Sequence, residues 1–137
     1  MAVRTVRFTV QTKGDTEVLD ITDRVAQAVR QGPIRDGIVA AFVVGSTAGI
    51  TLMEYEPGLV HDLQAALERL VPVNAPYRHN EHDDNGHAHI RAALTGSAVT
   101  IPVTAGGLVL GTWQQIVLLD FDTHPRRREV ICQLIGE

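Results

Sequence analysis

The chain has 137 residues, a formal net charge of −4, and 45% hydrophobic against 20% charged residues. That length suits one domain with one substantial core, and the charge balance excludes a strongly basic nucleic-acid binder or a disordered acidic tail. No apolar stretch approaches the roughly 18 residues of a membrane span, so the expected protein is cytoplasmic, with neither nucleic acid nor membrane as a partner.

In chain order, the first element is "VRTVRFTVQT", whose period-two alternation predicts a half-buried strand rather than a targeting segment. "EVLDIT" reads as a short second strand. Thr22 or Asp23 is placed to cap a helix that runs to about Val29 and stops at Gly32-Pro33. "GIVAAFVVGS" is a continuous apolar run rich in β-branched residues and predicts a buried strand, followed by a second strand in "GITLMEY". Pro57 suits the first turn of a helix whose Val60, Leu63, Leu67 and Leu70 form one apolar stripe, with Pro72 as its stop.

A histidine-rich loop then leads into a short helix in "HIRAALTG", ended by Gly96. The remainder reads as strands: "SAVTIPV", a tight "TAGG" turn, "LVLGTW", "QQIVLLDFD" and, after a turn, "REVICQLI". Cys132, the single cysteine, lies in the last of these and reads as a buried thiol. Seven or eight strands joined mostly by short turns, with three helices and no regular βαβ alternation, predict an α+β fold. Its sheet or sandwich is mainly antiparallel, with helices at one side.

The candidate chemistry concentrates in "HNEHDDNGHAHIRAAL", His79–Leu94, which holds four of the six histidines. Imidazole can donate, accept or bind a metal, but a zinc ion wants three or four ligands and no recognised zinc spacing is present. On a helix starting near Asn85, His87 and His89 diverge by about 200° and cannot chelate one ion together. Asp84 or Asn85 is expected to cap that helix, and its dipole is expected to lower the pKa of a first-turn histidine.

Elsewhere the residues leave alternatives open. Glu54 is either an exposed strand end or an acid beside a site. The small-residue turn with Ser46-Thr47 is either a plain connection or a set of backbone N–H groups that can hold an anion. Arg126, Arg127 and Arg128 are either a phosphate clamp or solvated charge around a turn, and Trp113 reads as a core residue.

The blocks "PYRH…AHIRAALTGSAVTIPV", "GLVLGTWQQIVLLDFD" and "PRRREV…QLIGE" resemble the YjbQ-like family, also called the secondary thiamine-phosphate synthase family. The resemblance covers about Gly37 to Glu137. It implies an α+β fold and a homotrimer with a pocket where subunits meet. It also implies a small phosphorylated ligand and a reaction joining a pyrimidine diphosphate to a thiazole phosphate, or another reaction on a phosphorylated small molecule.

Under that resemblance His79 and His89 are general acid/base groups or ligands of a divalent zinc or magnesium ion, and Glu54 serves the same centre. Thr112, Gln114 and Asn85, with Asp84, match the family's recurring polar positions and are expected to contact the substrate; Ser46, Thr47 and Arg91 join that set as candidate phosphate contacts on their own chemistry. Many relatives resemble "HTTA" where this chain has "GSTA", so Gly45 stands in place of a histidine, and His87 is the residue expected to compensate as a ligand. The alternative reading is a metal- or anion-binding trimer without turnover.

Overall fold

The structure, a computed structural model, describes residues 1–137. Two antiparallel sheets and three helices realise the expected α+β architecture. One sheet has five strands in the order β1 (Ala2–Thr12), β8 (Arg126–Gly136), β3 (Gly37–Val44), β5 (Ala98–Thr104) and β6 (Gly107–Leu108). The other has three, in the order β2 (Glu17–Asp20), β7 (Gln115–Asp120) and β4 (Ala48–Met53). The helices are α1 (Thr22–Arg30), α2 (Pro57–Leu70) and α3 (Gly86–Thr95), and none is long and apolar enough to cross a membrane.

The layering follows from β7, which is apolar on both faces. Ile116 and Leu118 point into a core between the two sheets, where Val25, Ala28 and Val29 of α1 and Val39, Ala41, Val130, Cys132 and Leu134 meet them. Val117, Leu119 and the following Phe121 point the other way, onto Leu67 of α2 and Ala88 and Ala92 of α3. A continuous apolar run in sequence thus marks the strand that both cores share. Cys132 is fully buried, as its alternating setting predicts, and burial pushes its thiol pKa up to about 11.

Several local expectations need correction. The side chains of Thr22 and Asp23 do not cap α1; the Asp20 carboxylate instead accepts from the Thr22 N–H and hydroxyl. Pro57 does sit in the first turn of α2, where the Glu56 carboxylate accepts from the Gly58 and Leu59 N–H groups. Of that helix's apolar stripe Leu67 is buried, whereas Leu70, in the last turn, is 74% exposed.

"LVLGTW" is not a full strand. β6 stops at Leu108, and residues 109–114 form a loop and turn in which Leu110 still packs against the core between the sheets while Trp113 is 70% exposed rather than packed inside. The "TAGG" turn is a two-residue hairpin loop, with Ala105 and Gly106 at φ 52° and 78°. Positive φ at both central positions matches the right-handed twist of the paired strands.

The outer face of the five-stranded sheet has nothing packed on it within the chain. Val3, Ile38, Phe42, Val44 and Ile135 are all more than a third exposed there. Leu118, by contrast, is fully enclosed in the core between the sheets. Leu118→Ala is expected to lower unfolding free energy by about 3 kcal/mol through lost burial and a residual cavity. Denaturant titration checks this, and a loss under about 1 kcal/mol contradicts this packing.

Candidate functional site

At the C-terminal end of β7 the core between the sheets is closed by charge instead of by hydrocarbon. Asp120 is the last residue of β7 and points inward, as does Arg128 of β8. The guanidinium donates to both Asp120 oxygens, Nε at 2.7 Å and one terminal nitrogen at 3.0 Å. That same nitrogen donates to the Thr47 hydroxyl at 2.7 Å, and the Thr12 hydroxyl of β1 donates to Asp120. A buried bidentate pair with further hydrogen bonds to both partners is the arrangement that tolerates loss of water.

Two residues on, Asp122 is 1% exposed. It accepts from the Thr123 N–H at 2.8 Å, the Arg126 Nε at 2.8 Å, the Thr47 hydroxyl at 3.0 Å and the Asn85 amide at 3.1 Å. Burial alone would raise its pKa. The Thr123 N–H and the donors from Asn85, Thr47 and Arg126 outweigh burial and hold the carboxyl well below the usual range.

Asn85 then reaches His79, with its Oδ1 3.0 Å from the His79 Nε2. The ring of His79 packs edge-on to that of His89, with centroids 4.6 Å apart. His89 lines a cleft of about 450 Å³ with Gly45, Ser46, Thr47, Asn85, Asp122 and the three arginines Arg126, Arg127 and Arg128. No hydrophobic residue lines this cleft. The N–H groups of Gly45, Ser46 and Thr47 have no hydrogen-bond partner within the chain. Successive free N–H groups beside guanidinium groups make a site suited to an oxyanion.

The structure therefore brings together His79, His89, Asn85, Ser46 and Thr47. Asn85 sits at the cap position of α3, but its side chain does not cap the helix: it bridges His79 to Asp122, while the Asn80 side chain accepts the Gly86 N–H at 2.8 Å. Asp84 does not cap α3 either; it accepts from the Thr123 hydroxyl. Gly45 has a φ of 143°, and a Cβ there would lie 2.7 Å from an Arg128 nitrogen. The buried arginine thus fills the space into which a side chain at position 45 would grow.

Other expected site residues lie elsewhere. His87 and Arg91 face away from His89 and line a separate cavity of about 250 Å³ with Thr16, Gln64 and Glu68. Arg91 is buried and spent on structure, donating to the Val71 carbonyl, the Thr16 hydroxyl and Glu68. His87 therefore does not compensate at Gly45, and Arg91 is not beside the His79–His89 pair.

Glu54, Thr112 and Gln114 sit at the opposite end of the three-stranded sheet, where Met53 pairs with Gln115. Thr47 and Glu54 flank β4 on its two sides. Seven residues of extended chain separate them by about 23 Å, so within one chain the two sets do not share a pocket. The Gln114 side chain is engaged by its own turn, accepting from the Gly111 N–H at 2.7 Å.

No group of three or more His, Cys, Asp or Glu side chains in the chain is placed to hold a metal ion. Two imidazoles alone do not complete a zinc shell. Asp122 and Asp120 escaped sequence reasoning. The signal for them was two acids ending a fully apolar strand, "LLDFD", next to arginines at same-face spacing.

His87 is 2% exposed and its Nδ1 is buried without a partner. Burial lowers its pKa from the ordinary 6.5, and the nearby Arg91 lowers it further. Burial, not the helix dipole, is thus the leading cause. Because the folded value is depressed, the unfolded chain takes up the proton first. This contribution to stability is complete above pH 6.5 and declines as pH falls from there toward the folded value. Urea midpoints at about pH 7.5 and about pH 5 are expected to differ less in His87→Gln than in wild type. An equal acid loss in both contradicts the assignment.

The model of the family described as "UPF0047 protein YjbQ-like" matches residues 6–137. The chain is 39% identical over 130 residues to a UPF0047 protein of Archaeoglobus fulgidus, covering 95% of this chain and 100% of the relative. It is also similar to the crystal structure of a YbjQ-like protein of unknown function from Sulfolobus solfataricus. That match has a TM-score of 0.91 and 34% identity, and covers 99% of this chain and 100% of the other. A hypothetical protein from Aeropyrum pernix gives a TM-score of 0.93 at 35% identity, covering 98% and 99% of the two chains. With nearly its whole length matched, the chain belongs to the UPF0047 protein YjbQ-like family.

Proposed function

We propose that this chain binds a phosphorylated small molecule in the cleft at the end of β7, with His79 and His89 as its acid/base groups. One observation carries the reading: three arginines and three unpaired backbone N–H groups surround a cleft with no hydrophobic wall, and two histidines stand at its edge. A phosphate or diphosphate suits such a lining, because charge-assisted donors gain most from an oxyanion. Transfer with departure of a diphosphate, as in the thiamine-phosphate synthase reaction, is the chemistry this arrangement would serve. The thiazole nitrogen would form the new C–N bond as the C–O bond to the diphosphate breaks; guanidinium groups would take the charge of the departing diphosphate, and a protonated imidazole would give it a proton.

The same reading includes a homotrimer. Two observations support it: the uncovered apolar face of the five-stranded sheet, and the separation of Glu54, Thr112 and Gln114 from the histidine pair. A neighbouring copy would supply the second set to the first. Sedimentation is expected to give three times the 14.9 kDa chain mass, and Phe42→Asp is expected to reduce it. A monomeric wild type contradicts this part of the proposal.

Calorimetric titration with inorganic phosphate and pyrophosphate tests the ligand class. Arg127, exposed and free of the buried network, gives a clean variant. Arg127→Ala is expected to weaken binding about tenfold, the worth of one charge-assisted contact. No binding by wild type, or unchanged affinity in the variant, contradicts the reading. For the reaction itself, thiamine-phosphate formation is compared in wild type and His89→Ala. Equal rates would remove His89 from the mechanism. An inactive wild type that still binds pyrophosphate would favour the binding protein without turnover.

A further inference from the structure

We infer that Asp122 and Asn85 are positioning residues that hold His79 in the Nε2–H tautomer, leaving Nδ1 as the ring's basic nitrogen. The inference rests on the proposed acid/base reading of His79 for its functional meaning, but not for its geometry.

Two hydrogen bonds in series fix the proton. The Asp122 Oδ1 lies 3.1 Å from the Asn85 Nδ2. Asp122 is a carboxylate held ionised by its many donors, so it can only accept. The Asn85 amide nitrogen must therefore face Asp122, because the flipped amide would set its carbonyl oxygen against an anion. With the nitrogen fixed, the Asn85 Oδ1 is the atom 3.0 Å from the His79 Nε2. An amide oxygen can only accept, so Nε2 carries the hydrogen. The other group near Nε2, Asp83 Oδ2 at 3.9 Å, is also an acceptor and favours the same tautomer.

The anchor of this relay is over-determined. Asp122 is tied to Thr47, Arg126 and the Thr123 N–H. Thr47 is in turn tied to Arg128, which grips Asp120. Asn85 is 5% exposed and Asp122 1% exposed, so water cannot readily replace the bond between them. His79 is half exposed, and its Nδ1 makes no hydrogen bond within the chain. His79 would thus meet a ligand proton, or a donor from a neighbouring copy, through Nδ1. An orienting partner on one ring nitrogen sets the role of the other.

The test is a long-range proton–nitrogen NMR correlation on full-length protein labelled at histidine, with His79 assigned through His79→Gln. Wild type at neutral pH is expected to show His79 as a single Nε2–H tautomer. In Asn85→Ala the ratio of the two tautomers is expected to shift about fivefold toward Nδ1–H, the worth of one ordinary hydrogen bond. Asp122→Asn, which keeps the shape but allows the Asn85 amide to flip, is expected to shift it in the same direction. Asp83→Asn, which removes an exposed carboxylate beyond hydrogen-bond distance at 3.9 Å, is expected to shift it in the same direction but less than Asn85→Ala.

An Nδ1–H tautomer in the folded wild type overturns the inference whatever the variants do. So does an unchanged tautomer ratio in a folded Asn85→Ala protein. Phosphate titration of the same samples separates the two ideas. A fixed tautomer without phosphate binding would sink the proposed ligand and leave the relay standing, whereas binding with the wrong tautomer would do the reverse.

Discussion

The buried pair of Arg128 and Asp120 is the contact on which the candidate site at the end of β7 depends. It joins the two sheets at the mouth of their shared core, β8 from one and β7 from the other. Leaving either charge alone there would cost several kcal/mol, so the pair must be complete or absent. Once it is complete, it recruits Thr12 from β1 and Thr47 from the β3–β4 turn. Thr47 is then in place to donate to Asp122, and Asp122 to accept from Asn85. A structural ion pair thereby sets the position of a histidine four hydrogen bonds away.

This arrangement separates two kinds of arginine within one short run. Arg128 is held by Asp120 and Thr47 through Nε and one terminal nitrogen and acts as framework. Arg126 is shared with Asp122, and Arg127 remains exposed. The cleft thus has a rigid positive wall with an adaptable rim, the pattern expected where a ligand supplies the last charges. Gly45 belongs to the same design, since the Arg128 guanidinium takes the space that a side chain there would need.

Much of this was legible in the sequence, for stated reasons. Period-two alternation located β1, and "QQIVLLDFD" and "REVICQLI" read as the strands that became β7 and β8; that β7 serves two cores emerged only with the fold. Helical divergence correctly separated His89 from His87, and the structure puts them on different cavities. The pairing of His79 with His89 came from a family resemblance, and the structure packs the two rings against each other. What stayed hidden depends on contacts between residues distant in sequence. Asp120 and Asp122 looked like the polar end of a strand, and their partners lie on β1, the 45–47 turn and β8. Arg91 looked like a free phosphate contact until the fold surrounded it with the Val71 carbonyl, Thr16 and Glu68. Trp113 looked like core because the strand pattern around it continues on paper, whereas the chain turns outward after Leu108.

The central claim is that the polar cleft at the end of β7 is where a phosphorylated ligand sits. Backbone chemical shifts followed during addition of pyrophosphate test it most directly, because they report location as well as binding. The account predicts saturable shifts centred on Gly45–Thr47, His89 and Arg126–Arg128, with Asn85 and His79 following. Shifts confined to the His87–Arg91 cavity or the chain termini, or no saturable shifts at all, would contradict it.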